Sequence, residues 1–140
     1  MADLNLLIRE RIFLNNTERG ADYELQIQGI ENVDNRILTI PTGSNTEIFK
    51  YSNLPGAGTF TSSSFKYGRI TNHSNCVLNL QIQSSSSISN YKIEAGGTFM
   101  LSTSETISGS LINFAYEDIE TVSIQPSGSS AKIEYFIATL

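Results

Sequence analysis

The chain has 140 residues, a formal net charge of −5 and an isoelectric point near 4.8. That is one domain's worth of polymer, with room for a single core and none for separate catalytic and binding domains. Charged residues are 16% of the total against a usual fraction of about 25%, while Ser, Thr and Asn number 19, 12 and 12, so the surface is hydroxyl-rich and lacks the basic stripe that nucleic-acid binding requires.

Residues 4–14 carry Leu4, Leu6, Ile8, Ile12 and Leu14, a spacing that fits both a helix and an alternating strand. The β-branched content and the absence of an N-cap favour an extended arm or edge strand over 1–14. As a strand, Leu6, Ile8, Ile12 and Leu14 face one way with Glu10 among them, while Leu7, Arg9, Arg11 and Phe13 face the other. The first face asks for a core, and the second can meet an acidic neighbour. Leu6, Ile8, Arg9, Arg11 and Phe13 are therefore the candidate assembly contacts, with the two arginines expected to pair with carboxylates of an adjacent subunit.

Period-2 alternation then recurs along the chain. Tyr23, Leu25 and Ile27 make a half-buried strand; residues 36–40 make a second, stopped by Pro41 and Gly43; residues 48–51 make a third. After a Gly-rich loop come runs at 65–71 and 77–83, the latter with Leu78, Leu80 and Ile82 on one face. Tyr91, Ile93 and Ala95 alternate up to Gly96 and Gly97; Phe99 and Leu101 follow; Ile112, Phe114 and Tyr116 repeat the pattern. Val122 and Ile124 are expected to pair with Ile133, Tyr135 and Ile137 across a turn at residues 126–130. Roughly nine short strands at such intervals predict an all-β chain, a single antiparallel β-sandwich or jelly-roll-like domain over 1–140.

Chemistry is sparse. His73 is the sole histidine and Cys76 the sole cysteine, so a Ser-His-Asp triad, a Cys-His pair or a tetrahedral zinc site would have to pass through one turn that holds no second pair. No G-x-S-x-G elbow is present, and the glycines at 56, 58, 96 and 97 lack the following helix and Lys that phosphate cradling needs. Glu117, Asp118 and Glu120 lack the loop that wraps carboxylates around Ca²⁺. The expectation is no catalytic residue, no metal and no cofactor. Asn15 and Asn72 match the N-glycosylation pattern but read more simply as turn residues, since no secretory signal is recognised, and no apolar run reaches the ~18 residues of a membrane span. The loop from Ser52 to Ser64 places Phe60 between Tyr51 and Tyr67, and these three aromatics are the loop-contact candidates of a sugar-stacking platform, weakened by the absence of Trp.

Five strings in order carry a family likeness: Asn35-Arg-Ile-Leu-Thr-Ile-Pro41, Tyr67-Gly-Arg-Ile-Thr-Asn72, Leu78-Asn-Leu-Gln-Ile82, Glu94-Ala-Gly-Gly-Thr-Phe-Met-Leu101 and Ala131-Lys-Ile-Glu-Tyr135. Across most of its length the chain resembles the small β-sandwich virion proteins of tailed bacteriophages, notably those of marine and cyanobacterial phages. The resemblance implies a non-enzymatic structural protein made in the host cytoplasm and carried in the virion. It would be a capsid decoration or cement protein, or in the alternative a tail- or fibre-associated carbohydrate- or receptor-binding module. The partners it implies are the major capsid protein or other virion proteins, with homo-oligomers expected and neither nucleic acid nor membrane.

Overall fold

The computed structural model describes residues 2–50, 65–84, 87–102, 107–108, 113–114 and 119–139. Strands account for all the regular structure among them, and no described residue is helical. The first four are β1 (Ala2–Arg9), β2 (Ile12–Leu14), β3 (Thr17–Arg19) and β4 (Asp22–Ile30). Then come β5 (Asn32–Ile40), β6 (Thr46–Lys50), β7 (Phe65–Asn72), β8 (Leu78–Ser84), β9 (Ser87–Ile93) and β10 (Thr98–Ser102). Two short strands, β11 (Ile107–Ser108) and β12 (Asn113–Phe114), pair with each other before β13 (Ile119–Pro126) and β14 (Ala131–Thr139) close the chain.

Two four-stranded antiparallel sheets form the body, one in the order β10-β7-β14-β5 and the other β6-β13-β8-β9. Numbered among themselves in chain order, these eight strands lie first-eighth-third-sixth and second-seventh-fourth-fifth. That order is the jelly roll, a pair of Greek keys rolled into a sandwich.

The alternation seen in the sequence is what lets each strand serve it. On β14, Ala131, Ile133, Tyr135 and Ile137 point between the sheets, and they meet Ile124 from β13, Leu78 and Leu80 from β8 and Phe49 from β6. The two sheets leave one void of about 20 Å³ beside Gly68, walled by Ile70, Leu80, Phe99 and Ile137 among others. No polar side chain lines it, so even a single water would find no partner there.

Residues 2–30 form a long β-ribbon. The pairing keeps one register from Leu4 opposite Ile27, through Arg9 opposite Asp22, to Leu14 opposite Thr17. Asn15 and Asn16 close it with φ of 52° and 60°, the two left-handed residues of a type I′ turn, which suits the right-handed twist of a hairpin. Gly20 has φ of 133°, and a Cβ there would collide with the Glu10 carbonyl, so glycine is what lets the strands approach at that point. The predicted arm over 1–14 is thus one half of a hairpin, whose other half includes the unforeseen β3. The sequence put the two faces of the first strand correctly: Leu6, Ile8, Ile12 and Leu14 share one side, and Leu7, Arg9, Arg11 and Phe13 the other.

The expected hairpin across residues 126–130 is corrected: Val122 and Ile124 pair with β6 and β8, while Ile133, Tyr135 and Ile137 pair with β5 and β7. The turn therefore carries the chain from one sheet to the other, and the two runs meet across the core rather than side by side. Other boundaries shift modestly. The expected run at 91–95 is the end of β9, which starts in the serine tract at Ser87 and stops at Ile93, where the chain turns through Gly96 with φ of 75°. Of the run at 112–116, only 113–114 lies within the described residues.

Candidate functional site

The ribbon is the feature that the sandwich does not absorb. Its base sits on the outer face of the sheet containing β7 and β14, where Tyr67, Phe136 and Ala138 point away from the main core. Ile27 and Ile30 seat against them, flanked by Leu4, Leu6 and Leu25. Tyr67 and Phe136 meet edge to face at 5.9 Å. Burial fades toward the tip along this same face: Ile27 is 1% exposed, Leu25 half-buried and Tyr23 already 55% exposed. Ile12 and Leu14 continue the apolar face beyond Tyr23 and are exposed.

The opposite face is built around charge. Arg11 reaches Asp22 at 2.8 Å and Glu18 at 3.2 Å, and Arg9 reaches Asp22 at 3.4 Å. The expectation that these arginines await a neighbour's carboxylates is therefore corrected: the hairpin brings Glu18 and Asp22 across from them, and register supplies the partners within the chain. Leu7 and Phe13 bracket this charged patch, both exposed, Phe13 at 71%.

Of the assembly candidates, then, Phe13 is fully presented, Arg9 and Arg11 are exposed but internally paired, and Leu6 and Ile8 are half-buried. Leu7, Ile12, Leu14 and Tyr23 belong with Phe13 and were not among the candidates. Alternation alone assigned Tyr23 to a half-buried face, because it cannot say where the supporting sheet ends.

The aromatic loop platform does not survive in its proposed form. Tyr51 and Phe60 lie outside the described residues. Tyr67 is buried beneath the ribbon, where its hydroxyl donates to Met100 Sδ at 3.9 Å and burial pushes its pKa up. It has no exposed ring face to stack on a sugar.

His73 Nε2 lies 3.2 Å from one oxygen of Glu134, and Arg69 donates to the other at 3.0 Å. Arg69 first, and then His73, hold the Glu134 carboxyl below the usual carboxylate range. Arg69 also donates to the Thr71 hydroxyl at 3.0 Å, which lies 3.2 Å from the Thr98 hydroxyl, so the network runs from β14 across β7 to β10.

Asn72 is fully buried, and its amide donates to the carbonyls of Cys76, Ile93 and Glu94 while its oxygen accepts from the Ser74 amide and hydroxyl. It ties the 73–77 turn to the 94–97 turn, and its burial keeps it from acting as a glycosylation acceptor in the folded chain. Cys76 is half-buried, and its hydrogen bond with the Ser74 hydroxyl lowers the thiol pKa. Among the described residues no three His, Cys, Asp or Glu side chains gather as a metal site would require, and no helix is long and apolar enough to cross a membrane.

Comparison with protein-family models, curated proteins and solved structures finds no match to this chain. The ribbon and the jelly roll therefore have to be interpreted on their own physics.

Proposed function

We propose that this protein is a non-enzymatic structural subunit of a tailed-phage virion, seated on the outer capsid lattice as a decoration protein. The observation that carries the reading is the outer half of the ribbon. Leu7, Ile12, Phe13, Leu14 and Tyr23 are large, apolar and exposed on an element that leaves its own sheet behind. Ile12, Leu14 and Tyr23 lie on one face of the ribbon and Leu7 and Phe13 on the other, so the tip offers apolar surface on both sides. Such surface on an otherwise hydroxyl-rich protein marks a contact region. A rigid sandwich with an adhesive projection suits a subunit that must stay soluble on one side and grip a lattice on the other. The jelly roll is an architecture common to capsid and lectin domains, which supports the reading by analogy of fold.

Quantitative mass spectrometry of purified particles tests it, with the protein expected in fixed ratio to the major capsid protein. Co-sedimentation with stripped capsids should be lost in the Leu7→Asp/Phe13→Asp double variant, whose positions are exposed and leave the fold intact. Absence from particles, or undiminished binding by that variant, overturns the reading. A tail- or fibre-associated glycan-binding module is the second reading, favoured by the exposed rings of Phe13 and Tyr23. Saturable binding on a glycan array, abolished by Tyr23→Ala, would put it first.

A further inference from the structure

β5 ends one sheet, bonded to β14 along its whole length from Asn32 to Ile40, and no strand among the described residues pairs with its other edge. Proteins commonly blunt so long an edge with a lysine, a proline, a bulge or inward-pointing charges. β5 contains no Lys or Pro and pairs with β14 without a register shift. Its two inward charges, Asp34 and Arg36, are of opposite sign and so can complement rather than repel a second copy. Instead the edge presents two bulky apolar side chains on the outer face, Val33 at 54% and Ile37 at 62% exposure. On the inner face, at the rim of the sandwich, Asp34 and Arg36 stand 2.9 Å apart; the Arg36 side chain is 59% exposed, while Asp34 is 20% exposed and also accepts from the Tyr135 hydroxyl at 2.7 Å.

This short stretch is self-complementary about Asn35. If a second copy runs antiparallel beside the first with Asn35 opposite Asn35, Val33 faces the partner's Ile37 and Asp34 faces the partner's Arg36. Two-fold symmetry makes each contact twice, as an isologous interface requires. Directly opposed apolar pairs and opposite charges both stabilise an antiparallel ladder, and like charges destabilise it.

The neighbouring registers are excluded on the same grounds. A slip of one residue would place outward side chains opposite inward ones. A slip of two would set Arg36 against Arg36 in one direction, or Asp34 against Asp34 in the other.

We propose that two copies of this chain pair through β5 in the Asn35-centred register, joining their sheets into one eight-stranded sheet across the dimer. The charges select the register, and the apolar pair with the open ladder supplies the affinity. An interface of one strand per side lies at the small end of specific contacts, so the dimer is expected to be concentration-dependent. The proposal stands apart from the virion reading, since it involves neither the ribbon tip nor any capsid surface.

Sedimentation equilibrium of the full chain tests it. The unmodified protein should self-associate to a dimer. Ile37→Lys, at a position exposed in the monomer, should weaken that association by about tenfold or more at unchanged melting temperature, because it introduces a charge facing Val33 of the partner. Arg36→Asp, at an exposed position, should abolish self-association through like-charge opposition to Asp34 of the partner, whereas Arg36→Lys, which keeps the charge, should still dimerise. A chain that stays monomeric, or an Ile37→Lys or Arg36→Asp variant that dimerises as the unmodified chain does, would each overturn the proposal.

Discussion

Phe13 and Phe49 each follow an isoleucine on a short strand, yet Phe49 is 1% exposed and Phe13 71%. The difference between the ribbon and the sandwich is one of layers. Every inward face of the jelly roll finds an opposite sheet about 10 Å away, whereas the ribbon has a sheet beneath it only at its base. A two-stranded hairpin is marginal in water by itself, so its pairing should weaken from the seat of Ile27 and Ile30 toward Asn15. Two strands of like composition thus serve unlike ends: one set specifies the fold, and the other leaves apolar surface for something else to cover.

The strongest way to break this comparison is to truncate both phenylalanines. Phe49→Ala should cost about 3–5 kcal/mol in chemical denaturation, from lost burial and the cavity left behind. Phe13→Ala should stay within about 0.5 kcal/mol, as for an exposed position without special backbone or partners. Equal losses would mean that the ribbon tip is packed in solution.

Asn72→Ala comes next. It strips the donor from three carbonyls in a fully buried site and should cost about 2–3 kcal/mol. The counterpart on the ribbon is Asn15→Ala, at φ of 52°, whose left-handed strain should appear in faster amide exchange of the hairpin and little in global stability.

A pH measurement sharpens the contrast further. Tyr135 is buried in the main core and donates to Asp34 at 2.7 Å; burial first, then that bond, push its pKa up to about 12 from an ordinary 10.0. A raised folded-state value means that the native state holds the proton longer than the unfolded chain does. The stabilisation is therefore complete below pH 10 and is lost as the pH rises toward 12, by at most about 3 kcal/mol. Denaturation midpoints taken across that window should fall in the unmodified protein and flatten in Tyr135→Phe.

The smallest effect belongs to the ribbon's charges. Arg11 bridges Asp22 and Glu18 at an exposed site, so Arg11→Ala should shift stability by about 0.5 kcal/mol or less, and salt should erase the difference. A larger, salt-resistant loss would place that charged face in a buried contact.

Much of the fold was legible because alternation is a local property. Leu78, Leu80 and Ile82 on one side of a strand, or Ile133, Tyr135 and Ile137 on another, follow from period 2 wherever the strand lies. Even the two faces of residues 4–14 could be assigned this way, and Asn15, legible as a turn residue, sits with Asn16 at the tip of the hairpin. The candidate contacts were legible only in part. Phe13 was named and is exposed, while Tyr67 was named and is buried, since nothing near Tyr67 in the chain announces that Ile27 and Ile30 will cover it.

By itself, then, the sequence determined strand character, the sidedness of most strands and a hydroxyl-rich composition, all of which depend on residues a few positions apart. The tertiary structure alone decided the jelly-roll order, the choice of Glu18 and Asp22 as partners for Arg9 and Arg11, and the burial of Asn72. Those depend on which strand lies beside or above another, a choice made by the summed packing of both sheets that no single stretch of chain encodes.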